Sequence, residues 1–389
     1  MKVRFWGVRG STPTPFLENL RYGGNTSCVE VRTPQGETLI FDCGTGLRSL
    51  GKQLLAEYGH KSINACIFLS HYHWDHIQGI PFFEPLYNPE NYFFFHSFRG
   101  AARSVQEALE EQMSDPYFPV NMSTMEAHRH FYNIEEESLS IKDVVLRTKP
   151  LNHPQGCLGF RLECNGKVVV YATDNEPGAE EYDQNVRKLA EGADVLIYDG
   201  QYTPLEYANL KKGWGHSTWR EGVNIAKQAG VKQLVLFHHD PDHSDNFIDS
   251  IVAETRKFFP NVMAAWEGME IDLALDQQEK PLPQSDRRVE SRQQVHVPLW
   301  VQGIDKNGKA FRERTLIENL SFRGAYFLLL NDPDPRHSLD VQLEIAPEAA
   351  PNPGNQKPAS LALMRSQLVR NAPVELPNKI KRGVAVVFR

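Results

Sequence analysis

The sequence predicts an α/β protein in which two β-sheets lie between layers of helices, followed by a small all-β barrel. Three observations support this fold class. Short β-branched and aromatic runs alternate with amphipathic stretches in the first part of the chain, a polar, proline-rich segment follows at 277–284, and the remainder has a nearly continuous strand pattern. We therefore expect a four-layer αββα sandwich over residues 1–275, a linker over 276–284 and a barrel over 285–389.

Composition indicates an ordinary globular protein. Of 389 residues, 41% are hydrophobic and 23% charged. Five scattered cysteines without a CxxC pair favour reduced thiols over a disulfide framework. The first residues lack the apolar core of a signal peptide, and no apolar run reaches the length of a membrane span. We therefore predict a cytoplasmic protein without a membrane span.

Charge is distributed unevenly along the chain. Residues 285–389 contain 16 Lys and Arg against 11 Asp and Glu, a net charge of +5, which leaves −12 for residues 1–284 of the total −7. An acidic surface binds long nucleic acid poorly. A mildly basic C-terminal part suits a small anionic ligand, although a solvated surface explains the same charge.

Strand-like runs in the first part of the chain each end in a cluster of Gly, Asp, His or Pro, as strands that end at loops do. These runs are Cys28–Arg32, Thr38–Phe41, Ala65–Leu69, Val144–Thr148, Val168–Ala172, Val195–Tyr198 and Gln233–Phe237. Amphipathic spacing predicts helices at Ala101–Gln112 and Trp219–Ala229. Residues between Pro81 and Arg147 are interpreted as a long insertion whose aromatic side chains form either a lid or core.

One short segment carries a cluster of metal-ligating side chains. Directly after the apolar run Ile67–Ser70 come His71, His73, Asp75 and His76. Because His71 and His73 are two residues apart, their side chains point the same way in extended backbone, and a turn can direct the other two to a second point. Imidazole and carboxylate donors suit zinc, iron, manganese or nickel. The segment therefore predicts metal binding on a loop at the end of a strand.

The order of the motifs resembles the metallo-β-lactamase superfamily. The histidine-rich segment resembles its second motif, and Asp42, in a DCGTG run, resembles the structural aspartate of its first. The resemblance implies two metal ions that share the bridging ligand Asp174. It assigns to one ion the side chains of His71, His73, His153 and Asp174. It assigns to the other ion Asp75, His76, Asp174 and His238, with Asp75 essential for catalysis.

Two further residues resemble a phosphodiesterase subgroup. The run Gly215–Thr218 is similar to an element of ribonuclease Z, the transfer-RNA 3′-processing endonuclease, in which the histidine protonates the leaving group or steadies the phosphate. His216 matches that histidine, and Asp199 lies where those enzymes place its acidic partner. A carboxylate beside imidazole fixes its tautomer and favours its charged form. Alternatively, Ser217 and Thr218 simply cap the following helix.

Two motifs in the last hundred residues resemble the PilZ domain, a small β-barrel that binds cyclic di-GMP. The first is RxxxR, with Arg288 and Arg292, and the second is NxSxxG; the residues assigned to the ligand are Arg287, Arg288, Arg292, Asn319, Ser321 and Gly324. Guanidinium groups pair with phosphate through two hydrogen bonds and stack on guanine. A polar linker followed by an ordinary turn is the alternative.

These observations together predict a cytoplasmic metal-dependent hydrolase. We expect two divalent ions, zinc before manganese or iron, and a small phosphodiester substrate in preference to long nucleic acid. Cyclic di-GMP is the expected ligand of the C-terminal domain, with a homodimer left open. Two alternatives remain: a non-catalytic cyclic di-GMP receptor that uses the first domain for docking, and a hydrolase of thioesters or lactams. A redox diiron enzyme fits less well, because that group usually has Glu where this chain has His73.

Overall fold

The chain divides into two compact units, Met1–Lys280 and Pro281–Arg389. The structure, a computed structural model, describes residues 1–98, 103–134, 138–274, 298–321, 324–334, 336–343, 363–376 and 379–388. The predicted linker at 276–284 lies entirely outside these residues. Within the described ranges, no helix has both the length and the apolar character needed to cross a lipid bilayer.

The first sheet of the N-terminal unit has seven strands among the described residues. They are β1 (Lys2–Gly7), β2 (Cys28–Arg32), β3 (Thr38–Phe41), β4 (Asn64–Phe68), β5 (Tyr92–Phe98), β6 (His128–Ile134) and, from the end of the unit, β14 (Glu270–Asp272). Their spatial order is β14-β1-β2-β3-β4-β5-β6. Because β3 to β6 run parallel, the loops that follow them leave the sheet at the same end.

The second sheet also has seven strands within the described part of the chain. They are β7 (Ser138–Ile141), β8 (Val144–Leu151), β9 (Cys157–Cys164), β10 (Lys167–Ala172), β11 (Val195–Asp199), β12 (Gln233–Phe237) and β13 (Val262–Ala264). Their spatial order runs from β13 to β7 without a break. Strands β10 to β13 are parallel, so this sheet also gathers several carboxyl ends at one edge.

Helices cover the outer faces of both sheets. They are α1 (Leu47–Tyr58), α3 (Val105–Glu111), α4 (Glu180–Ala190), α6 (Trp219–Gln228) and α7 (Asp245–Arg256). Two short helices, α2 (Trp74–Ile77) and α5 (Pro204–Glu206), lie in the connections after β4 and β11. One apolar cluster joins α1 and α3 to the first sheet, and another joins α4, α6 and α7 to the second. A third fills the space between the sheets. The predicted sandwich of two sheets between helices is confirmed.

The interpretation of the segment between Pro81 and Arg147 as an insertion is wrong. It contributes β5 and β6 to the first sheet and α3 to its outer face. Phe93 and Phe95 are fully buried, so these aromatic side chains are core and not a lid. Tyr117, in contrast, is 77% exposed. Apolar runs in parallel strands lack the alternation that distinguishes a half-exposed strand, which explains the error.

The C-terminal unit contains a closed six-stranded barrel among its described residues. Its strands are β15 (Pro298–Ile304), β16 (Ala310–Ser321), β17 (Gly324–Leu329), β18 (Leu339–Leu343), β19 (Leu363–Leu376) and β20 (Lys379–Phe388). The order is β15-β16-β17-β20-β19-β18, and β15 pairs with β18 to close the ring. Val301, Phe327 and Leu339 are fully buried. The long strand β19 was not predicted from the sequence.

Candidate metal centre

Candidate ligands gather where central strands of both sheets end. The histidine-rich segment follows β4, Asp174 follows β10, and His238 follows β12. His153 comes from the loop between β8 and β9. Helix α2 begins inside the segment, so Asp75 and His76 turn away from His71 and His73. The structure therefore brings together all seven side chains that the sequence assigned to two ions.

The first group contains three histidines, His71, His73 and His153, with ligand nitrogens within 4.8 Å of one another. His153 Nε2 lies 3.1 Å from His73 Nδ1. On the far side of each ring, His153 Nδ1 is 2.7 Å from the Gly215 carbonyl and His73 Nε2 is 2.7 Å from the Gln155 side-chain oxygen. These acceptors assign the ring protons to the outer nitrogens, so two lone pairs face each other inside the site.

The ring of His71 also carries its proton on the nitrogen that points away from the site. The Ser70 hydroxyl donates to Asp42 at 2.8 Å, so its oxygen accepts from His71 Nδ1 at 3.0 Å. His71 Nε2 therefore carries a lone pair; it is buried and has no hydrogen-bond partner. A buried polar atom without a partner is costly, which suggests that another group satisfies it. A buried imidazole nitrogen whose lone pair has no hydrogen-bond donor is suited to binding a metal ion.

The second group consists of Asp75, His76 and His238. The two ring Nε2 atoms are 3.2 Å apart, and each lies 3.2 Å from Asp75 Oδ2. His76 Nδ1 lies 2.8 Å from Asp42, and His238 Nδ1 lies 2.8 Å from the Gln201 side-chain oxygen. Both outer nitrogens donate hydrogen bonds to these acceptors, so the lone pairs of the two inner nitrogens and the Asp75 carboxylate point toward the same position. A cation at that position would stabilise these converging lone pairs.

Asp174 lies between the two groups and is almost fully buried. Its Oδ1 is 3.8 Å from the Nε2 atoms of His71 and His153. Its Oδ2 is 3.3 Å from His76 Nε2 and 3.4 Å from His238 Nε2. One carboxylate oxygen therefore faces each group, which is the geometry that a bridging ligand requires.

The pKa values of the histidines also indicate that the centre stabilises a positive charge. Burial opposes charge on the His76 ring, but Asp75, Asp174 and Asp42 outweigh it and raise the pKa of His76 well above its usual range. Burial and the neighbouring His76 lower the pKa of His71 well below its usual range. A proton on His76 is thus the cation that the metal-free centre accommodates most readily. The donor types and their orientations fit divalent metal ions.

We expect the zinc affinity of the metal-free protein to rise with pH. Because the pKa of His76 is raised, the ring holds a proton at neutral pH that a metal ion must displace. Competition with a chromophoric chelator between about pH 6 and about pH 8 measures this dependence. Calorimetry in buffers of different ionisation enthalpy should detect proton release on zinc binding. An affinity that is constant across this range contradicts the assignment.

Asp42 lies behind the centre and holds several of its parts in place. It is fully buried and accepts four hydrogen bonds, from the Ser70 amide and hydroxyl, from His76 Nδ1 and from the Tyr171 hydroxyl, all at 2.7–2.8 Å. The structural role implied by the first motif therefore has a concrete form: Asp42 orients His76 directly and His71 through Ser70.

Asp42→Asn should weaken zinc binding about ten- to a hundred-fold, as loss of a partner of a metal ligand generally does. Asparagine tolerates the left-handed backbone at this position, where φ is 57°, but it has one acceptor oxygen and no charge. Asp194→Asn is a matched control, because Asp194 is a buried carboxylate that binds the Val168 amide and Lys232 away from the centre. Zinc competition should separate the two variants; equal affinities would contradict the role of Asp42.

His216 and Asp199 form a buried pair beside the centre. His216 Nδ1 lies 3.0 Å from Asp199 Oδ2 and 3.6 Å from Asp174 Oδ1. Burial opposes charge on the ring, but the charge and hydrogen bond of Asp199 outweigh it and raise the pKa of His216 to about 9. Thr218 also caps α6 by accepting from the Glu221 amide, so the capping interpretation of this run is compatible with a place for His216 in the site.

Three site residues have left-handed backbone conformations within two residues of the end of a strand. They are Asp42, Asp174 and His238, with φ of 57°, 53° and 59°. Non-glycine residues adopt this region rarely, and such strain is concentrated at functional sites. The conformation turns each side chain sharply from the strand toward the centre.

The other polar residues near His238 do not join the ligand groups found in the described residues. His239 Nε2 donates to the Ala265 carbonyl, and burial lowers its pKa to about 3. His243 pairs with Glu206 at 2.9 Å. Asp242 is exposed. His239 and His243 therefore have hydrogen-bond partners outside the two ligand groups.

Of the residues assigned to cyclic di-GMP, Arg287, Arg288 and Arg292 lie outside the described residues. Asn319 and Ser321 belong to the end of β16, and Gly324 begins β17. Ser321 and Gly324 are paired in register between these two strands.

Sequence reasoning missed three supporting residues. Gln201 holds His238, Gln155 holds His73, and the Ser11 amide donates to Asp75 at 2.7 Å. Each contact joins residues that are distant in the chain, and no local motif marks them.

Comparison with known proteins identifies the family. A family model described as the β-lactamase superfamily domain matches residues 37–239. This range begins before Asp42 and includes His238, so it spans both ligand groups.

Individual relatives match a similar part of the chain. Ribonuclease Z of Methanosarcina mazei is 29% identical over 323 residues, which cover 70% of this chain and 98% of that protein. The metallo-β-lactamase-fold protein YhfI from Bacillus subtilis has a TM-score of 0.53 and 20% identity, covering 69% of this chain and 98% of its own. Zinc-bound PqqB from Methylobacterium extorquens has a TM-score of 0.53 and 15% identity, covering 70% and 100%. Both structures share the fold of the part of this chain that they cover.

Proposed function

The chain belongs to the β-lactamase superfamily, and we propose that its N-terminal unit is a binuclear metal-dependent phosphodiesterase. The observation that carries this proposal is a buried His216–Asp199 pair next to two groups of inward-facing donor atoms. An oriented imidazolium can protonate the oxygen atom that leaves when a phosphodiester bond is cleaved. The sequence similarity to ribonuclease Z, a phosphodiester-cleaving enzyme by name, supports the same bond type.

Two zinc ions are the proposed cofactors. His71, His73, His153 and Asp174 would hold one ion, and Asp75, His76, Asp174 and His238 the other. Five imidazoles and two carboxylates match the preference of zinc for nitrogen and oxygen donors, and zinc-bound PqqB shares the fold. Manganese and iron accept the same donors.

When bound, a pair of divalent ions supplies Lewis acidity and lowers the pKa of water at the site. The chain's own residues provide the proton and its direction. Asp199 accepts from His216 Nδ1, which leaves Nε2 as the nitrogen that can donate to the leaving oxygen. Asp199 is fully buried and His216 is 8% exposed, so the pair is held in low dielectric, where its charge interaction is strong.

The proposed substrate is a small phosphodiester. The net charge of −12 over residues 1–284 disfavours a long polyanion, although the relatives include a ribonuclease. Bis-p-nitrophenyl phosphate, a thioester and a lactam, each assayed with bound-metal analysis, distinguish the candidate bond types. Zinc-dependent hydrolysis of the phosphodiester alone supports the proposal. Hydrolysis of only the thioester or the lactam would overturn it. Binding of stoichiometric zinc without hydrolysis of any phosphodiester would also overturn it and would favour the receptor alternative. A labelled transfer-RNA precursor tests long RNA in the same assay.

For the C-terminal unit we propose cyclic di-GMP binding. The support is the RxxxR motif at Arg288 and Arg292, and the six-stranded barrel whose strands β16 and β17 contain the NxSxxG residues Asn319, Ser321 and Gly324. Calorimetric titration of the full chain should show saturable binding, reduced about ten- to a hundred-fold by Arg288→Ala. Arg312→Ala, outside both motifs, is the control. No binding by the wild type would overturn this proposal without affecting the hydrolase.

Control of hydrolysis by cyclic di-GMP is the final part of the proposal. Coupling requires that the ligand favours one state of the full chain over another. Turnover of the phosphodiester should therefore change as cyclic di-GMP saturates the protein. Constant turnover over the full titration would exclude coupling.

A further inference from the structure

We propose that Gly10 and Ser11 form a positioning element that fixes Asp75 and His238, and with them one of the two metal positions. This inference rests on the proposed metal centre but not on the nature of the substrate. The element is the turn after β1, far in sequence from the residues that it contacts.

The turn is anchored by Arg9, whose side chain is fully buried. Arg9 Nε donates to the Gly23 carbonyl at 2.8 Å, and Nη1 donates to the carbonyls of Asp240 at 3.1 Å and His243 at 2.6 Å. The Gly10 amide adds a bond to the His239 carbonyl at 3.0 Å. These contacts fasten the turn to the loop that follows β12, which carries His238.

Ser11 acts on Asp75 through its backbone. Its amide donates to Asp75 Oδ2 at 2.7 Å, and this oxygen is the one 3.2 Å from both His76 Nε2 and His238 Nε2. Ser11 has φ of 61°, a left-handed conformation that serine rarely adopts. The strain is consistent with a requirement for the amide to point at the carboxylate. Ser11 is exposed, and its hydroxyl takes no part in this contact; the hydroxyl accepts a long hydrogen bond of 3.5 Å from Gln201 Nε2.

Gly10 acts on His238 by its lack of a side chain. A Cβ at this position would lie 2.4 Å from His238 Nδ1, 2.5 Å from Cε1 and 3.0 Å from the Gln201 oxygen. His238 Nδ1 donates to that same oxygen at 2.8 Å. Any larger residue would therefore displace the ring or break the bond that fixes its tautomer.

The element contacts only one of the two ligand groups. Its contacts reach Asp75 directly and His238 directly, whereas no described contact of Gly10 or Ser11 involves the group of His71, His73 and His153. Disturbing the turn should therefore weaken one metal position and leave the other.

Equilibrium dialysis with zinc, followed by metal analysis, tests this asymmetry. Gly10→Ala should keep one tightly bound zinc and bind the second about ten- to a hundred-fold more weakly than the wild type. Ser11→Pro, which removes the amide hydrogen and cannot adopt positive φ, should have the same effect. Ser11→Gly retains the amide, relieves the backbone strain and removes only the long 3.5 Å hydrogen bond from Gln201 Nε2 to the hydroxyl, so it should bind the second zinc much more tightly than Ser11→Pro does.

Gly51→Ala is the control for steric damage alone. Its Cβ would lie 2.8 Å from the Phe83 ring, in the apolar layer between α1 and the first sheet. It should lower the melting temperature without altering zinc binding. The inference would be overturned if Gly10→Ala and Ser11→Pro each bound both zinc ions with the affinities of the wild type. If the wild type binds two ions but cleaves no phosphodiester, the proposed activity fails and this inference stands; if it binds none, both fail.

Discussion

Replacing Asp75 by alanine should lower phosphodiester hydrolysis more than a hundredfold and reduce bound zinc from two ions to one. Replacing a residue that only hydrogen-bonds to a metal ligand lowers metal affinity or activity about ten- to a hundred-fold. Asp75 is a candidate ligand itself, so its loss should have a larger effect. Its Oδ2 lies 3.2 Å from the Nε2 atoms of His76 and His238, so its removal takes the negative charge from that group. Zinc analysis and turnover should be measured on the same preparation.

Asp242→Ala is the matched control for Asp75→Ala. Asp242 is an exposed aspartate in the loop after His238 and belongs to none of the ligand groups found in the described residues. The control should retain both zinc ions and full turnover. Circular dichroism should show that both variants are folded. Normal turnover by a folded, zinc-poor Asp75→Ala protein would refute the assignment.

Replacing His216 by alanine should lower kcat by about 10²–10⁴-fold while both zinc ions stay bound. The reason is that His216 is proposed to supply a proton to the leaving oxygen and is not one of the seven proposed ligands. A leaving group that needs no proton, such as p-nitrophenolate, should be affected less than an alkoxide. Loss of zinc from His216→Ala would instead identify this residue as a ligand.

Asp199→Asn should shift the pH profile of kcat as well as lower it. Burial opposes the charge on His216, and the charge and hydrogen bond of Asp199 raise its pKa to about 9. A general acid works while it is protonated, so activity falls as pH rises through its pKa. Without the carboxylate the pKa falls, and the alkaline decline should move to lower pH. An unchanged profile would exclude the proposed partnership.

The ligands were predictable to different degrees. His71, His73, Asp75 and His76 stand in one short segment after an apolar strand, so their residue types and spacing alone indicate a metal site. His153, Asp174 and His238 are single residues after separate strands, and only resemblance to a family singled them out. The fold explains why they meet: strands from two sheets end at the same edge, and left-handed turns at Asp174 and His238 direct the side chains inward.

The supporting residues could not be predicted, because tertiary packing alone places them. Ser11 meets Asp75 across 64 residues, and Gln155 meets His73 across 82. Neither residue type has a pattern that distinguishes it from a surface polar group. Gly10 is likewise one glycine among many until the His238 ring is seen against it.

Strands in the sheets were predicted best where an apolar run ends in a polar cluster. β2 and β3 have the predicted limits, Cys28–Arg32 and Thr38–Phe41. β19, in contrast, spans Leu363–Leu376, mixes Arg, Asn and Pro with apolar residues, and was missed. Its pairing with β18 and β20 is a long-range interaction, and such pairing overrides weak local preference.

X-ray anomalous scattering from crystals grown with zinc tests the central claim most directly. The seven converging side chains predict two peaks, about 3.5–4 Å apart, with Asp174 between them. One peak should lie among His71, His73 and His153, and the other among Asp75, His76 and His238. Absence of anomalous density from both positions, in protein that is folded and saturated with zinc, would contradict the account.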